Sequence, residues 1–147
     1  MRTSSTGRQL ICHYEGFSDR PYRCPAGYLT IGYGHLWRAG DPGVIDRATA
    51  ERYLANDLRE AERGIVNLIA VPLAQCQFDA LVSFTYNLGS GALQRSTLRR
   101  AINREEHAAV PAQLLRWVYA DGKKLPGLIR RRMAEGKLYQ GVDPVGG

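Results

Sequence analysis

Apolar positions recur at helical spacing along most of this chain, and strand-like alternation is confined to one stretch near the N-terminus. Leu10, Ile11 and Tyr14 share a face and predict a first helix over 5–15, with Ser4, Ser5 or Thr6 as N-cap and Gly16 to end it. Residues 17–36 alternate Tyr, Leu and Ile with Pro21, Pro25, Gly27, Gly32 and Gly34, the pattern of a small twisted sheet. A turn cluster at 39–43 follows. Asp46 then caps a long helix over 47–68, in which Ala50, Tyr53, Leu54, Leu58, Ala61, Ile65 and Leu68 repeat on one face. Val71-Pro72 interrupts it, because proline has no N–H and disfavours helix in the residue before it. Residues 73–88 read as the most apolar and most central helix, stopped by Gly89 and Gly91. Shorter helices are expected at 96–103, capped by Ser96, and at 105–118. Asp121-Gly122 marks a turn, 127–139 a last arginine-rich helix, and 141–147 a frayed tail. The sum is an α+β chain, mostly helical, in a single domain over 1–147.

Bulk properties narrow the class. The composition, 44% hydrophobic and 23% charged, is that of a folded globular domain rather than a disordered chain. No window approaches the roughly 18 consecutive apolar residues of a spanning helix. The first residues lack the apolar core of a secretory signal, which predicts a protein made and kept in the cytoplasm without a stable membrane anchor. Cys12, Cys24 and Cys76 are too few for a disulfide framework and suit a reducing compartment. With no CxxC pair, and with His13, His35 and His107 scattered, no metal site and no cofactor are expected. A formal charge of +6 raises encounter with polyanions without naming one. No nucleic-acid reader element is found, so nucleic acid is not expected as a partner.

One segment carries the chemistry. From Glu15 to His35 the chain packs a carboxylic acid, a thiol, a hydroxyl and four glycines into turn-rich sequence. Eight residues separate Glu15 from Cys24, and five separate Cys24 from Thr30. This spacing, with Thr30-Ile31-Gly32-Tyr33-Gly34-His35, resembles the Glu, Asp or Cys, Thr triad of the phage-type lysozymes, glycoside hydrolase family 24. The segments 77–89 and 127–135 also look like that family's, so the resemblance covers nearly the whole chain. It implies a lysozyme-like two-lobe fold: a small N-terminal sheet lobe over about 15–46, a spine helix over about 47–68, and a helical lobe over about 73–140. Helix 5–15 would pack on the helical lobe, and the substrate cleft would lie between lobes.

The resemblance also assigns roles. Glu15 is the candidate general acid, whose carboxyl must stay protonated beside the leaving oxygen. Tyr14 and Phe17 are its nearest apolar neighbours in sequence. Cys24 stands where most relatives carry Asp, as base or anionic support for the attacking water. A free thiol titrates near ~8.5, so a thiolate there needs help, for which Arg20 and Arg23 are close. Thr30 corresponds to the water-positioning hydroxyl. Asp19 is a competing carboxylate that an ion pair with Arg20 would explain, and Ser18 replaces an arginine frequent in the family. Leu36, Tyr86, Asn87 and Thr97 match positions that line the sugar cleft. His35 is expected to stabilise the sheet by hydrogen bonds, and one of Arg131 and Arg132 to turn toward Glu15. Cys12 and Cys76, on helices, are expected to be shielded and inert.

The implied activity is that of a muramidase: hydrolysis of the β-1,4 bond between N-acetylmuramic acid and N-acetylglucosamine in peptidoglycan, with inversion. The setting would be a phage or prophage endolysin, a monomer held in the host cytoplasm until a membrane lesion releases it to the wall. The competing classes are a catalytically degenerate glycan- or polyanion-binding module, and a lytic transglycosylase.

Overall fold

The structure, a computed structural model, describes residues 1–144. Seven α-helices and five short strands follow one another in these residues. They are α1 (Ser5–Glu15), β1 (Ser18–Arg23), β2 (Leu29–Gly32), β3 (His35–Leu36), α2 (Arg47–Leu68), α3 (Gln75–Leu88), α4 (Ser90–Arg95), α5 (Thr97–Asn103), α6 (Val110–Leu114), β4 (Tyr119–Ala120), β5 (Lys123–Lys124) and α7 (Pro126–Tyr139). The mostly helical α+β reading holds. Contacts divide the chain into two compact units, Ile11–Arg59 on one hand and the first ten residues with Glu60 onward on the other.

In the Ile11–Arg59 unit the strands form an antiparallel sheet in the order β1-β2-β3. Ser18 pairs with Gly32 and Tyr22 with Thr30, with a bulge between Ser18 and Tyr22. Thr30 in turn faces Leu36, and Ile31 faces His35. Gly32 has φ +65° and lies where an added Cβ would meet the Ala50 Cβ at 3.0 Å, so the turn into β3 tolerates no side chain there. Asp46 caps α2 as expected, accepting from the Thr49 N–H at 2.8 Å, and the Thr49 bonds lower its carboxyl pKa. His35, expected to stabilise the sheet by hydrogen bonds, ties β3 to α2: Nδ1 lies 2.7 Å from Asp57 Oδ2, and the ring packs on Tyr53 at 4.4 Å. Burial raises the Asp57 carboxyl pKa, and the His35 bond offsets part of that rise.

The other unit is built on α3, whose residues Phe78 to Thr85 are all buried. Buried Asp79 accepts from the Ser4 N–H at 3.0 Å and from the Ser4 hydroxyl, fixing the entry to α1. Glu62, also buried, accepts from both the N–H and the hydroxyl of Thr3 at 2.7 Å. Ser96 caps α5 as expected through the Arg99 N–H at 3.0 Å.

Three segments differ from the sequence reading. Gly91 does not stop a helix but sits inside α4, which starts directly after Gly89. The helix expected over 105–118 is broken into a 3₁₀ turn at His107–Ala109 and the short α6. Pro111 is the reason, since it lacks an N–H and is accommodated only in a first helical turn. The strands β4 and β5 form a hairpin that no apolar alternation announces. At the C-terminus, Gly141 and Val142 are not frayed: their N–H groups bond the carbonyls of Leu138 and Lys137 at 2.9 Å each, a Schellman cap. The rest of the expected tail beyond residue 144 lies outside the described residues.

Candidate active site

Glu15 is the last residue of α1, half-buried, and Gly16 with φ +72° turns the chain directly into the sheet. Phe17 packs on Tyr33 at 5.6 Å and under the Arg47 guanidinium at 4.4 Å, while Tyr14 meets His13 edge-on at 4.8 Å.

Cys24 opens the β1–β2 turn. Its N–H bonds the Tyr28 carbonyl and its carbonyl accepts from Gly27, both at 2.8 Å. Gly27, at φ +91°, supplies the left-handed residue that closes such a turn. Cys24 is half-buried and forms no disulfide among the described residues, and the same holds for Cys12 and Cys76. The expectation that those two would be shielded is therefore corrected: exposure alone does not distinguish Cys24. Neither arginine is aimed at it by its own bonds. Arg23 donates to the Gly27 carbonyl at 2.8 Å, and Arg20 pairs with Asp19 at 3.9 Å on the exposed surface.

Thr30 lies in the central strand, only 5% exposed. Its hydroxyl donates a long 3.4 Å bond to the Tyr22 carbonyl. Directly opposed residues of an antiparallel sheet share a face, so Tyr22 and Leu36 flank Thr30 on the same side, both exposed. Leu36 thus lies opposite Thr30 in the register, and Tyr22, which the sequence reading did not single out, lies opposite it on the other side.

Tyr86, Asn87 and Thr97 belong to the other unit. Tyr86 and Asn87 are half-buried near the end of α3. The Asn87 Oδ1 accepts from Arg132 at 2.8 Å. This leaves its amide N–H₂ group as donor to something else. Arg132 belongs to a buried cluster, although an arginine run of this kind is ordinarily a solvated helix face. Its Nε sits 2.8 Å from Glu135 Oε1, an ion pair off the line of a hydrogen bond, and its NH2 is 3.1 Å from Oε2. Arg131 lies 3.5 Å from the same carboxylate and 3.3 Å from the Ser83 hydroxyl, which itself donates to Glu135 at 2.6 Å. Burial pushes the Glu135 pKa up, while Arg132, Arg131 and Ser83 pull it down and offset part of the rise. Thr97 begins α5 and is bonded through its hydroxyl to Gln113 and, at 2.7 Å, to Arg116. Gln113, on α6, and Arg116, in the turn just after it, also escaped the sequence reading. Among the described residues no group of three or more His, Cys, Asp or Glu comes together as a metal site.

Comparison with known proteins follows the same residues. Residues 12–135 match the family model described as phage lysozyme. The chain is 38% identical over 144 residues to the endolysin of Acyrthosiphon pisum secondary endosymbiont phage 1, covering 95% of this chain and 99% of that one. It is 39% identical over 142 residues to the endolysin of Bacillus phage B103, covering 95% of this chain but spanning only 54% of that longer protein. In structure it is similar to the endolysin from Escherichia coli O157:H7 phage FAHEc1, with a TM-score of 0.85, 35% identity, and coverage of 95% and 93% of the two chains.

Proposed function

The chain belongs to the phage lysozyme family, and from that membership we propose that it is an inverting muramidase with Glu15, Cys24 and Thr30 as its catalytic groups. Family members of this kind are glycoside hydrolases, endolysins that act on bacterial peptidoglycan in host lysis. The bond cut is the β-1,4 link from N-acetylmuramic acid to N-acetylglucosamine. Glu15 gives its proton to the leaving oxygen. Water arrives from the opposite face, held by Thr30 and activated by Cys24, which inversion requires. Leu36, Tyr86, Asn87 and Thr97 contact the sugars. The enzyme works as a monomer without metal or cofactor, and reaches the wall from the host cytoplasm once the inner membrane has been opened.

The observation that carries this reading is the setting of Thr30. Its hydroxyl is held in the central strand by a single long bond as donor. A hydroxyl keeps two acceptor lone pairs, the capacity that positioning a water needs. Two exposed apolar side chains, Tyr22 and Leu36, flank it on the sheet face and suit a pyranose ring.

The test is Glu15→Gln assayed on permeabilised Gram-negative cells by loss of turbidity. The amide keeps the shape and has no proton to give, so clearing should fall by about 10²–10⁴-fold with the melting temperature unchanged. Wild-type clearing by this variant would refute the assignment. Analysis of wild-type products separates the neighbouring chemistries: reducing muramic ends of the α-anomer at early times support inversion, and 1,6-anhydro ends would mean a transglycosylase.

A further inference from the structure

The positive charge is not shared between the two units. Between Ile11 and Arg59 six Lys and Arg meet six Asp and Glu, so that unit is neutral. The other unit holds fourteen Lys and Arg against eight Asp and Glu, the whole of the chain's +6. Three of those eight acids, Glu62, Asp79 and Glu135, are buried, so they do little to mask the cations at the surface.

The β4–β5 hairpin sets two of these cations, Lys123 and Lys124, with Asp121 in its turn, beside exposed apolar groups. Every residue from Tyr119 to Gly127 is exposed. Asp121 and Gly122, with φ of 51° and 73°, make the tight left-handed turn that stiffens a short hairpin. Its base is anchored: Val118 is 2% exposed and bonds Leu125 at 2.9 Å, and Trp117 meets Phe84 edge-on at 5.6 Å. Tyr119 pairs with Lys124 across the strands, the ammonium 5.9 Å from the ring, and Lys123 pairs with Ala120. Leu115, Tyr119 and Leu125 are exposed by 42%, 57% and 39% within the same eleven residues.

We infer that this hairpin is a docking surface for bilayers carrying anionic phospholipid headgroups, which the chain touches from the side without crossing. Cations alone would suit any soluble polyanion. The apolar groups single out a lipid interface, where tyrosine and leucine enter the headgroup boundary while lysine stems lie along it and keep their ammonium groups in water. No helix among the described residues is long and apolar enough to cross a membrane, so the contact is peripheral. Each lysine or arginine close to an anionic leaflet strengthens binding about fivefold.

Co-sedimentation of the full chain with vesicles tests the inference. Binding is expected to phosphatidylcholine vesicles containing phosphatidylglycerol, at low salt, and not to phosphatidylcholine alone. Lys123→Gln with Lys124→Gln should lower partitioning on the order of 30-fold, and Tyr119→Ser severalfold by itself. Both variants should keep the wild-type melting temperature and the wild-type rate on soluble muropeptides. Arg63→Gln with Lys137→Gln removes two exposed cations of the same unit away from the hairpin and should weaken binding much less. An equal loss in that control would assign the binding to net charge and overturn the surface. If Tyr119→Ser binds vesicles as wild type does, and soluble polyphosphate binds with the same dependence on Lys123 and Lys124, the surface reads phosphate charge alone and the lipid assignment is wrong.

Discussion

Replacing Glu135 with leucine leaves two guanidiniums, Arg131 and Arg132, inside the protein without the carboxylate they share. Both arginines and the glutamate are no more than 4% exposed, so water cannot take over. Removing one partner of a buried ion pair costs about 3–5 kcal/mol, because the charge left behind keeps its desolvation penalty. The loss here belongs at the upper end of that range, since the Ser83 hydroxyl also gives up its 2.6 Å bond. For a chain of 147 residues such a cost lowers the melting temperature by about 10–15 °C. Glu135→Gln keeps one acceptor for Ser83 and should fall less far. The informative partner is Glu135→Leu combined with Arg132→Met. The double variant removes one of the two guanidiniums that lose the carboxylate and leaves Arg131, so it should be more stable than Glu135→Leu alone even though it carries one more substitution. Thermal unfolding by circular dichroism, backed by urea titration, gives all three values. Glu135→Leu within about 1 kcal/mol of wild type, or a double variant less stable than the single, would show that the cluster is not held by this carboxylate.

Three further outcomes follow from the site and the fold. Cys24→Asp should retain much of the lytic rate while Cys24→Ser falls steeply, since only the first restores an anion; equal rates in one turbidity assay would remove charge from the role of residue 24. Burial and the neighbouring Cys76 push the Tyr139 phenol up to about 12, so absorbance titration should show a late phase that Tyr139→Phe removes. Because the folded value is the raised one, its stabilisation is complete below the ordinary value near ~10 and fades as pH rises through the folded one, and alkaline unfolding should set in across that window. Gly32→Ala sets a side chain at φ +65°, with its Cβ 3.0 Å from that of Ala50. It should cost about 2–5 kcal/mol of left-handed strain and overpacking, read from the denaturation midpoint.

What could be read from the sequence divides along the range of the interactions involved. α1 and α2 were legible to within a residue because each carries one apolar face at a fixed period, and the bounds of α7 were legible to within a residue as well. The hairpin β4–β5 was not. Its residues are all exposed, so no burial imposes alternation, and only Asp121-Gly122 signals the turn. Pro111 was visible in the chain and should have outweighed the helical spacing around it.

The candidate site divides the same way. Glu15, Cys24 and Thr30 fall within one short segment whose spacing survives as text. The partners of the outlying residues do not: Asn87 is oriented by an arginine 45 positions away, and Thr97 by one 19 positions away. Charge misleads most where it is buried. An Arg-Arg-Arg run reads as a solvated face because burying guanidiniums is costly without a counterion. Here the counterion is Glu135, one helical turn along, and the periodicity that would have paired it with Arg131 and Arg132 was present in the sequence. A buried acid three or four residues after an arginine is therefore the pattern that separates an internal cluster from a surface stripe, provided that the helix carrying it has no other apolar face wide enough to bury. α7 meets that condition, since Ala134, Leu138 and Tyr139 alone cannot cover the side on which Arg131, Arg132 and Glu135 also lie buried.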